Sequence, residues 1–130
     1  MLKPNHYIAK LGYTSKNYYI FDRKRIKNDS RFRPDSEGFV PAEFWSLDNT
    51  LSLTIYSYLS YFKENVATDW CPSKVESAEK WNKILDKMIS GFSAKLKISE
   101  CHTNKEIDEL QAQFKEGFTL LYKYYDCLWY

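Results

Sequence analysis

Three stretches of the sequence repeat mainly apolar residues at steps of three and four, and this repeat constrains the fold more than any other feature. The first stretch, after Pro41, carries Phe44, Asp48, Leu51, Ile55, Tyr58 and Phe62. The second carries Ala78, Trp81, Leu85, Met88, Phe92 and Leu96. The third carries Ile107, Leu110, Phe114, Gly117, Leu121, Tyr124 and Leu128. Because this spacing places side chains on one side of an α-helix, the sequence predicts three helices with one buried side each.

The starts of these helices carry their own signals. Pro41 and Ser46 are alternative starts for the first helix, which is expected to run to about Lys63. Capping boxes at residues 73–76 and 103–106 predict the starts of the second and third, and the third is expected to reach the C-terminus. Helices of similar length joined by short links favour antiparallel neighbours. The predicted fold is all-α, an antiparallel three-helix bundle.

The first 38 residues differ from the rest in charge. They hold nine Lys/Arg against four Asp/Glu, whereas residues 39–130 hold ten against thirteen. Two short apolar runs, His6–Leu11 and Tyr18–Phe21, have the spacing of a small hairpin. We interpret residues 1–38 as a basic arm or hairpin packed on a bundle formed by residues 39–130. At 130 residues the chain is expected to be a single domain.

Six basic residues within eleven positions form the densest charge cluster and are candidate partner-binding residues: Arg23, Lys24, Arg25, Lys27, Arg31 and Arg33. One interpretation is a surface that neutralises nucleic-acid phosphates without reading bases. The other is an arm that pairs with acidic faces of the bundle. The acidic remainder of the chain, which repels a polyanion, favours weak nucleic-acid affinity at most.

Two aromatic residues near the C-terminus, Tyr122 and Trp129, lie seven residues apart on a side of the third helix away from its apolar stripe. Large exposed aromatic side chains in line are typical of a contact surface. They are therefore candidate partner-binding residues, unless the N-terminal arm covers them.

Asp48 lies on the apolar stripe of the first helix, beside Trp45. With Trp81 these residues form a candidate pocket for a small nucleotide-like ligand, in which a buried carboxylate does chemistry or binding. The alternative is a carboxylate at a helix start that accepts backbone N–H groups near the positive end of the helix dipole.

The sequence contains no residue pattern that indicates one of the common catalytic sites. Cys71, Cys101 and Cys127 lack the spacing of a metal site, and Cys101 with His102 lacks a third orienting group. Glycine is scarce, with four residues, and no phosphate-binding loop occurs. We expect no enzyme activity, no metal and no cofactor. No segment has the length of a membrane helix or the layout of a signal peptide, so we expect a soluble, intracellular protein.

Several landmarks follow one another in a characteristic order: Trp45-Ser-Leu-Asp48, Cys71-Pro72, Met88-Ile89-Ser-Gly-Phe92, Phe114-Lys-Glu-Gly117 and a closing Leu128-Trp129. Over residues 31–130 this order resembles a group of short, uncharacterised proteins of tailed bacteriophages. The resemblance implies a phage accessory protein acting in the host bacterial cytoplasm, and it implies no particular activity. The expected function is binding, with a host or phage protein as the partner and a host protein that is inhibited or redirected as the first choice. Nucleic-acid binding and ligand sequestration are the alternatives, and the sequence leaves the oligomeric state open.

Overall fold

The computed structural model describes residues 35–37, 39 and 41–129. These residues form three α-helices, α1 (Leu47–Tyr61), α2 (Ala78–Lys97) and α3 (Asn104–Lys123), and no strand occurs among them. Short 3-10 turns lie at Pro41–Phe44, Ile98–Glu100 and Tyr125–Cys127, and a π-helical turn at Phe62–Val66 continues α1. The prediction of an all-α fold with three helices is confirmed. The arm or hairpin predicted in residues 1–38 falls almost entirely outside the described residues.

Of the two helix starts that the capping boxes predict, the structure confirms the one at Thr103 and not the one at Ser73. Thr103 caps α3, since its hydroxyl accepts a hydrogen bond from the Glu106 N–H at 3.2 Å. The capping residue of α2 is Ser77, which accepts from the Lys80 N–H at 3.2 Å. The predicted start at Ser73 is therefore four residues early. Residues 73–76 form a turn instead, which the Val75 N–H closes on the Pro72 carbonyl at 2.9 Å.

The chain divides into two compact units, Met1–Thr54 and Ile55–Tyr130. The boundary lies within α1. The second unit contains the end of α1 and all of α2 and α3. This unit can therefore be described as a packed body in its own right.

Helices α2 and α3 run antiparallel. Trp81 near the start of α2 contacts Tyr124 after the end of α3, with ring centroids 5.8 Å apart. Phe92 in the second half of α2 contacts Phe114 in the middle of α3, at 5.5 Å. Between these contacts the ammonium of Lys87 lies 3.2 Å from a Glu116 carboxylate oxygen. Residues near the start of α2 thus pair with residues near the end of α3. This is the arrangement expected for helices joined by a short link.

Two glycines bring the backbones of α2 and α3 into direct contact. A β-carbon added to Gly91 would lie 2.7 Å from the Gly117 Cα, and one added to Gly117 would lie 2.8 Å from the Gly91 Cα. Both distances are shorter than real β-carbon contacts, and the neighbouring atoms are backbone. The helices can cross this closely only because neither position carries a side chain.

The end of α1 packs antiparallel to α2 within the second unit. Lys63, just past α1, forms an ion pair at 2.5 Å with Asp86 in the first half of α2. Tyr56, one to two turns earlier, shares a cavity with Ser93 and Lys97 in the second half of α2. Since α2 is antiparallel to both neighbours, α1 and α3 run parallel. The result is the predicted three-helix bundle.

The core of this bundle belongs chiefly to α2. Trp81, Leu85, Met88 and Phe92 have essentially no solvent exposure. These four residues were predicted as core, as was Leu121, which is also buried. The sequence stripes identify the buried side of α2 correctly.

The link between α1 and α2 returns to the C-terminal end of α3. The rings of Trp70 and Trp129 are 5.5 Å apart, and the Lys74 ammonium donates to the Lys123 carbonyl at 3.4 Å. The end of α3 that holds Cys127 therefore also holds the link with Cys71, while Cys101 lies at the turn between α2 and α3. Among the described residues these cysteines form no disulfide.

Candidate interaction surface

Helix α1 buries the side opposite to the one its sequence predicts. Of the stripe expected in the core, Leu51 is 53% exposed and Tyr58 is 67% exposed. Phe44 and Asp48 are exposed as well, and Ile55 and Phe62 are only half-buried. The buried residues of α1 are Thr50, Ser52, Leu53, Tyr56, Ser57, Leu59 and Ser60. The sequence therefore predicts the wrong buried side for α1. The observed helix is rotated about its axis so that the opposite side is buried.

Hydroxyl groups that bond to their own helix explain how a serine-rich side can be buried. Ser60 donates to the Tyr56 carbonyl at 2.7 Å, and Ser52 donates to the Asp48 carbonyl at 2.7 Å. Thr54 makes the same bond to the Thr50 carbonyl at 2.9 Å. A buried hydroxyl is costly only when it lacks a partner. Because these hydroxyls are satisfied within four residues, the serines can be buried beside Leu53, Tyr56 and Leu59.

The outward side of α1 is also nearly free of charge. Asp48 is the only charged residue among its fifteen positions, whereas α2 and α3 carry seven each in twenty. Surface helices normally carry charged residues on their outer side, and a helix without them is typical of a covered position. In the second unit this side of α1 presents Tyr58 and Tyr61, which is 57% exposed. We call these two residues the α1 face.

A second exposed aromatic surface lies along α3. Phe118, Tyr122 and Tyr125 follow one another at steps of four and three and are half or more exposed, with Tyr122 at 83%. We call these three residues the α3 stripe. Together with Ile55 of α1 they line one open groove. Phe118 also packs on Phe92 at 5.6 Å, which anchors the stripe to the core.

The predicted contact residues Tyr122 and Trp129 are both exposed. Trp129 is held against Trp70, as described above, whereas Tyr122 projects farthest into solvent. Sequence reasoning missed Phe118 and Tyr125 as surface residues, although each lies one turn from Tyr122. The N-terminal arm that could cover this region lies outside the described residues, as do all six basic candidates from Arg23 to Arg33.

The three residues of the candidate ligand pocket differ in their solvent exposure. Asp48 is exposed in the first turn of α1 and accepts a hydrogen bond from the Ser46 hydroxyl at 3.0 Å. Asp48 is therefore an exposed residue of the first helical turn and not a buried carboxylate. Trp45 is exposed, whereas Trp81 is fully buried in the second unit. A pocket shared by the three residues stays a prediction.

The buried indole of Trp81 is itself unusual. Its N–H has no hydrogen-bond acceptor among the described residues. An unsatisfied buried donor costs about 1–3 kcal/mol. The neighbouring aromatic ring of Tyr124 offers apolar packing but no conventional acceptor.

Two titratable side chains of the described region have a raised pKa. Desolvation by burial and then the charge of Glu64 raise the pKa of Tyr56. Desolvation and then the carboxylates of Glu106 and Glu100 raise the pKa of the Cys101 thiol, which donates to the Lys97 carbonyl at 3.5 Å. A raised pKa disfavours the nucleophilic thiolate. Within residues 41–129 no group of three His, Cys, Asp or Glu side chains could hold a metal ion.

None of the helices in the described part of the chain is both long and apolar enough to cross a membrane. Comparisons with protein-family models, curated proteins and solved structures give no match to this chain. Functional inference therefore depends on the surfaces described above.

Proposed function

We propose that this chain is a phage-type accessory protein that acts by binding a host protein through the α1 face. The observation that carries the proposal is the inverted burial of α1. Ser57, at 1% exposure, and Ser60 are buried, while Tyr58 and Tyr61 point to solvent. A helix that buries these two serines and exposes these two tyrosines has a surface suited to contact.

The composition of the α1 face favours a protein as the partner. Tyrosine is enriched among the residues that dominate binding energy, because it combines a large apolar area with a hydroxyl that can find a partner. Between Asp48 and Lys63 the chain has no charged side chain. A polyanion would find no cation along this surface, whereas the apolar centre of a protein interface needs none.

The phage context of the proposal is supported by the resemblance of residues 31–130 to short tailed-phage proteins. Such a protein would act in the bacterial cytoplasm, and the binding of a host protein would inhibit or redirect it by occupying its surface. The α1 face supplies the aromatic anchors that this mode of action requires.

The test uses affinity capture from bacterial lysate, followed by measurement of the affinity for the captured protein. Replacing both tyrosines (Tyr58→Ser, Tyr61→Ser) should weaken binding at least tenfold, because each is expected to be an interface anchor. Serine and tyrosine have similar helix propensities, so the fold should be retained. The matched control, Glu79→Ser with Lys83→Ser, removes an exposed ion pair from α2 and should leave binding unchanged.

Two results would contradict the proposal. Equal affinity of the tyrosine variant and the parent chain would exclude the α1 face as the binding surface. Loss of all capture after nuclease treatment would show that nucleic acid, and not protein, is the partner, and would favour the basic residues 23–33 instead.

A further inference from the structure

A cavity of about 230 Å³ lies between the second halves of α1 and α2 and the first half of α3. It belongs entirely to the second compact unit, and its lining residues are Tyr56, Ile89, Ser90, Ser93, Ala94, Lys97, Leu110 and Gln113. Tyr56 and Ala94 are buried. Ser90, Lys97 and Gln113 are exposed. The cavity therefore has a buried inner part and a mouth that is open to solvent.

Five polar side chains line this cavity without a hydrogen-bond or ion-pair partner in the described part of the protein: those of Tyr56, Ser90, Ser93, Lys97 and Gln113. Tyr56 is the most informative of them, because it is only 9% exposed and its side chain still reaches the cavity. Polar groups that are largely buried normally have a partner. The hydroxyl of Tyr56 is therefore available to a ligand that enters the cavity.

The charge of the cavity selects an anion. Lys97 is the one cation among its described lining residues, and no carboxylate lines it. An ammonium group only donates hydrogen bonds, and hydroxyl and amide groups can donate as well. Lysine, serine, tyrosine and glutamine are side chains that contact phosphate oxygens in complexes. We propose that this cavity binds a single phosphate group, of inorganic phosphate or of a small phosphate monoester, with Lys97 neutralising its charge and Tyr56 and Ser93 donating to its oxygens.

The size and the apolar part of the cavity agree with a small ion. Pockets for drug-sized ligands occupy about 300–1,000 Å³, and this cavity is smaller. Ile89, Ala94 and Leu110 form its apolar lining, which strengthens a hydrogen bond to an ion by lowering the local dielectric constant. Five polar side chains are more than the two oxygens of a carboxylate use, whereas phosphate offers four oxygens.

We expect a modest affinity, with a dissociation constant for inorganic phosphate of about 0.1–1 mM. Only one cation faces the ion, and the open mouth lets solvent and salt screen its charge. Desolvation by burial, and then the charge of Glu64, raise the pKa of Tyr56. The tyrosine hydroxyl therefore keeps its proton as a donor, while the nearby Glu64 carboxylate opposes an anion and limits the affinity.

Titration of the full chain with inorganic phosphate, followed by amide NMR at constant pH and ionic strength, tests the proposal. The amides of residues 93–97 and 110–113 should shift and saturate with the expected dissociation constant. Lys97→Gln should weaken binding at least tenfold, because it removes the cation of the cavity. The matched control Lys105→Gln removes an exposed cation of α3 that does not line the cavity, and it should leave the affinity unchanged. Glutamine and lysine have similar helix propensities, so both variants should fold.

Tyr56→Phe tests the buried end of the cavity, because it removes the hydroxyl and keeps the ring. Phosphate binding should weaken several-fold, while thermal unfolding followed by circular dichroism should show nearly unchanged stability without phosphate, since the hydroxyl has no partner among the described residues. Acetate should bind at least tenfold more weakly than phosphate. Adenosine monophosphate separates the two sources: equal or tighter binding assigns the site to a phosphate monoester, and weaker binding assigns it to the free ion.

Four results would overturn the proposal. They are the absence of a saturable shift up to about 20 mM phosphate, well above the expected dissociation constant, equal affinities of Lys97→Gln and Lys105→Gln, unchanged affinity of Tyr56→Phe, and acetate binding as tight as phosphate binding. None of these results bears on the α1 face, whose two tyrosines do not line the cavity, so the proposed function succeeds or fails separately.

Discussion

Replacing Phe92 with alanine should lower the free energy of unfolding by about 3–5 kcal/mol, the usual cost of removing a buried aromatic side chain. Phe92 is 1% exposed and contacts the rings of Phe114 and Phe118, both at about 5.5 Å. Its ring therefore packs α2 against α3. The loss would remove much of the 5–15 kcal/mol that a domain typically has.

Urea unfolding followed by circular dichroism measures this loss, and Phe118→Ala is the matched control. Because half of the Phe118 side chain is already in solvent, its removal should cost clearly less. If Phe92→Ala cost less than about 1 kcal/mol, well below the usual range, the described core would be wrong.

The second large effect on stability is expected where Gly91 and Gly117 bring α2 and α3 into contact. Gly91→Ala and Gly117→Ala should each destabilise the protein by about 1–3 kcal/mol or more, because the new methyl group meets backbone that has no rotamer to change. The direction of the change in stability is informative, because alanine is about 1 kcal/mol more favourable than glycine in an ordinary helix interior. Steric conflict must therefore outweigh a gain in helix propensity.

Thermal unfolding of both alanine variants, beside Ser90→Ala as a control, measures this effect. Ser90 is the exposed neighbour of Gly91 on the same helix, so its replacement should be neutral or slightly stabilising. A higher melting temperature for either glycine variant would show that α2 and α3 do not cross at these residues.

Sequence reasoning succeeded where apolar side chains alone decide burial. In α2 the residues Trp81, Leu85, Met88 and Phe92 repeat on one side, the opposite side is charged, and the fold buries the apolar one. In α1 the same rule fails, because the side that is buried carries Leu53, Tyr56 and Leu59 among serines and no charged residue. Hydroxyls that bond within the helix make that side inexpensive to bury, and periodicity does not reveal this.

The candidate surfaces were predictable only in part. The exposure of Tyr122 follows from its position off the apolar stripe, and Phe118 could have been found by the same helical spacing. The α1 face could not, since Tyr58 was assigned to the core. The contact of Gly91 with Gly117 likewise depends on the relative position of two helices, which no local pattern in the sequence specifies.

Site-specific photo-cross-linking shows whether the α1 face binds a host protein. A photoreactive phenylalanine analogue in place of Tyr58 is compared, in bacterial cells, with the same analogue in place of the exposed Lys83 on α2. We expect a cross-link from position 58 to one host protein, absent from position 83 and reduced by Tyr61→Ser. Equal labelling from both positions, or no host protein at position 58, would contradict it.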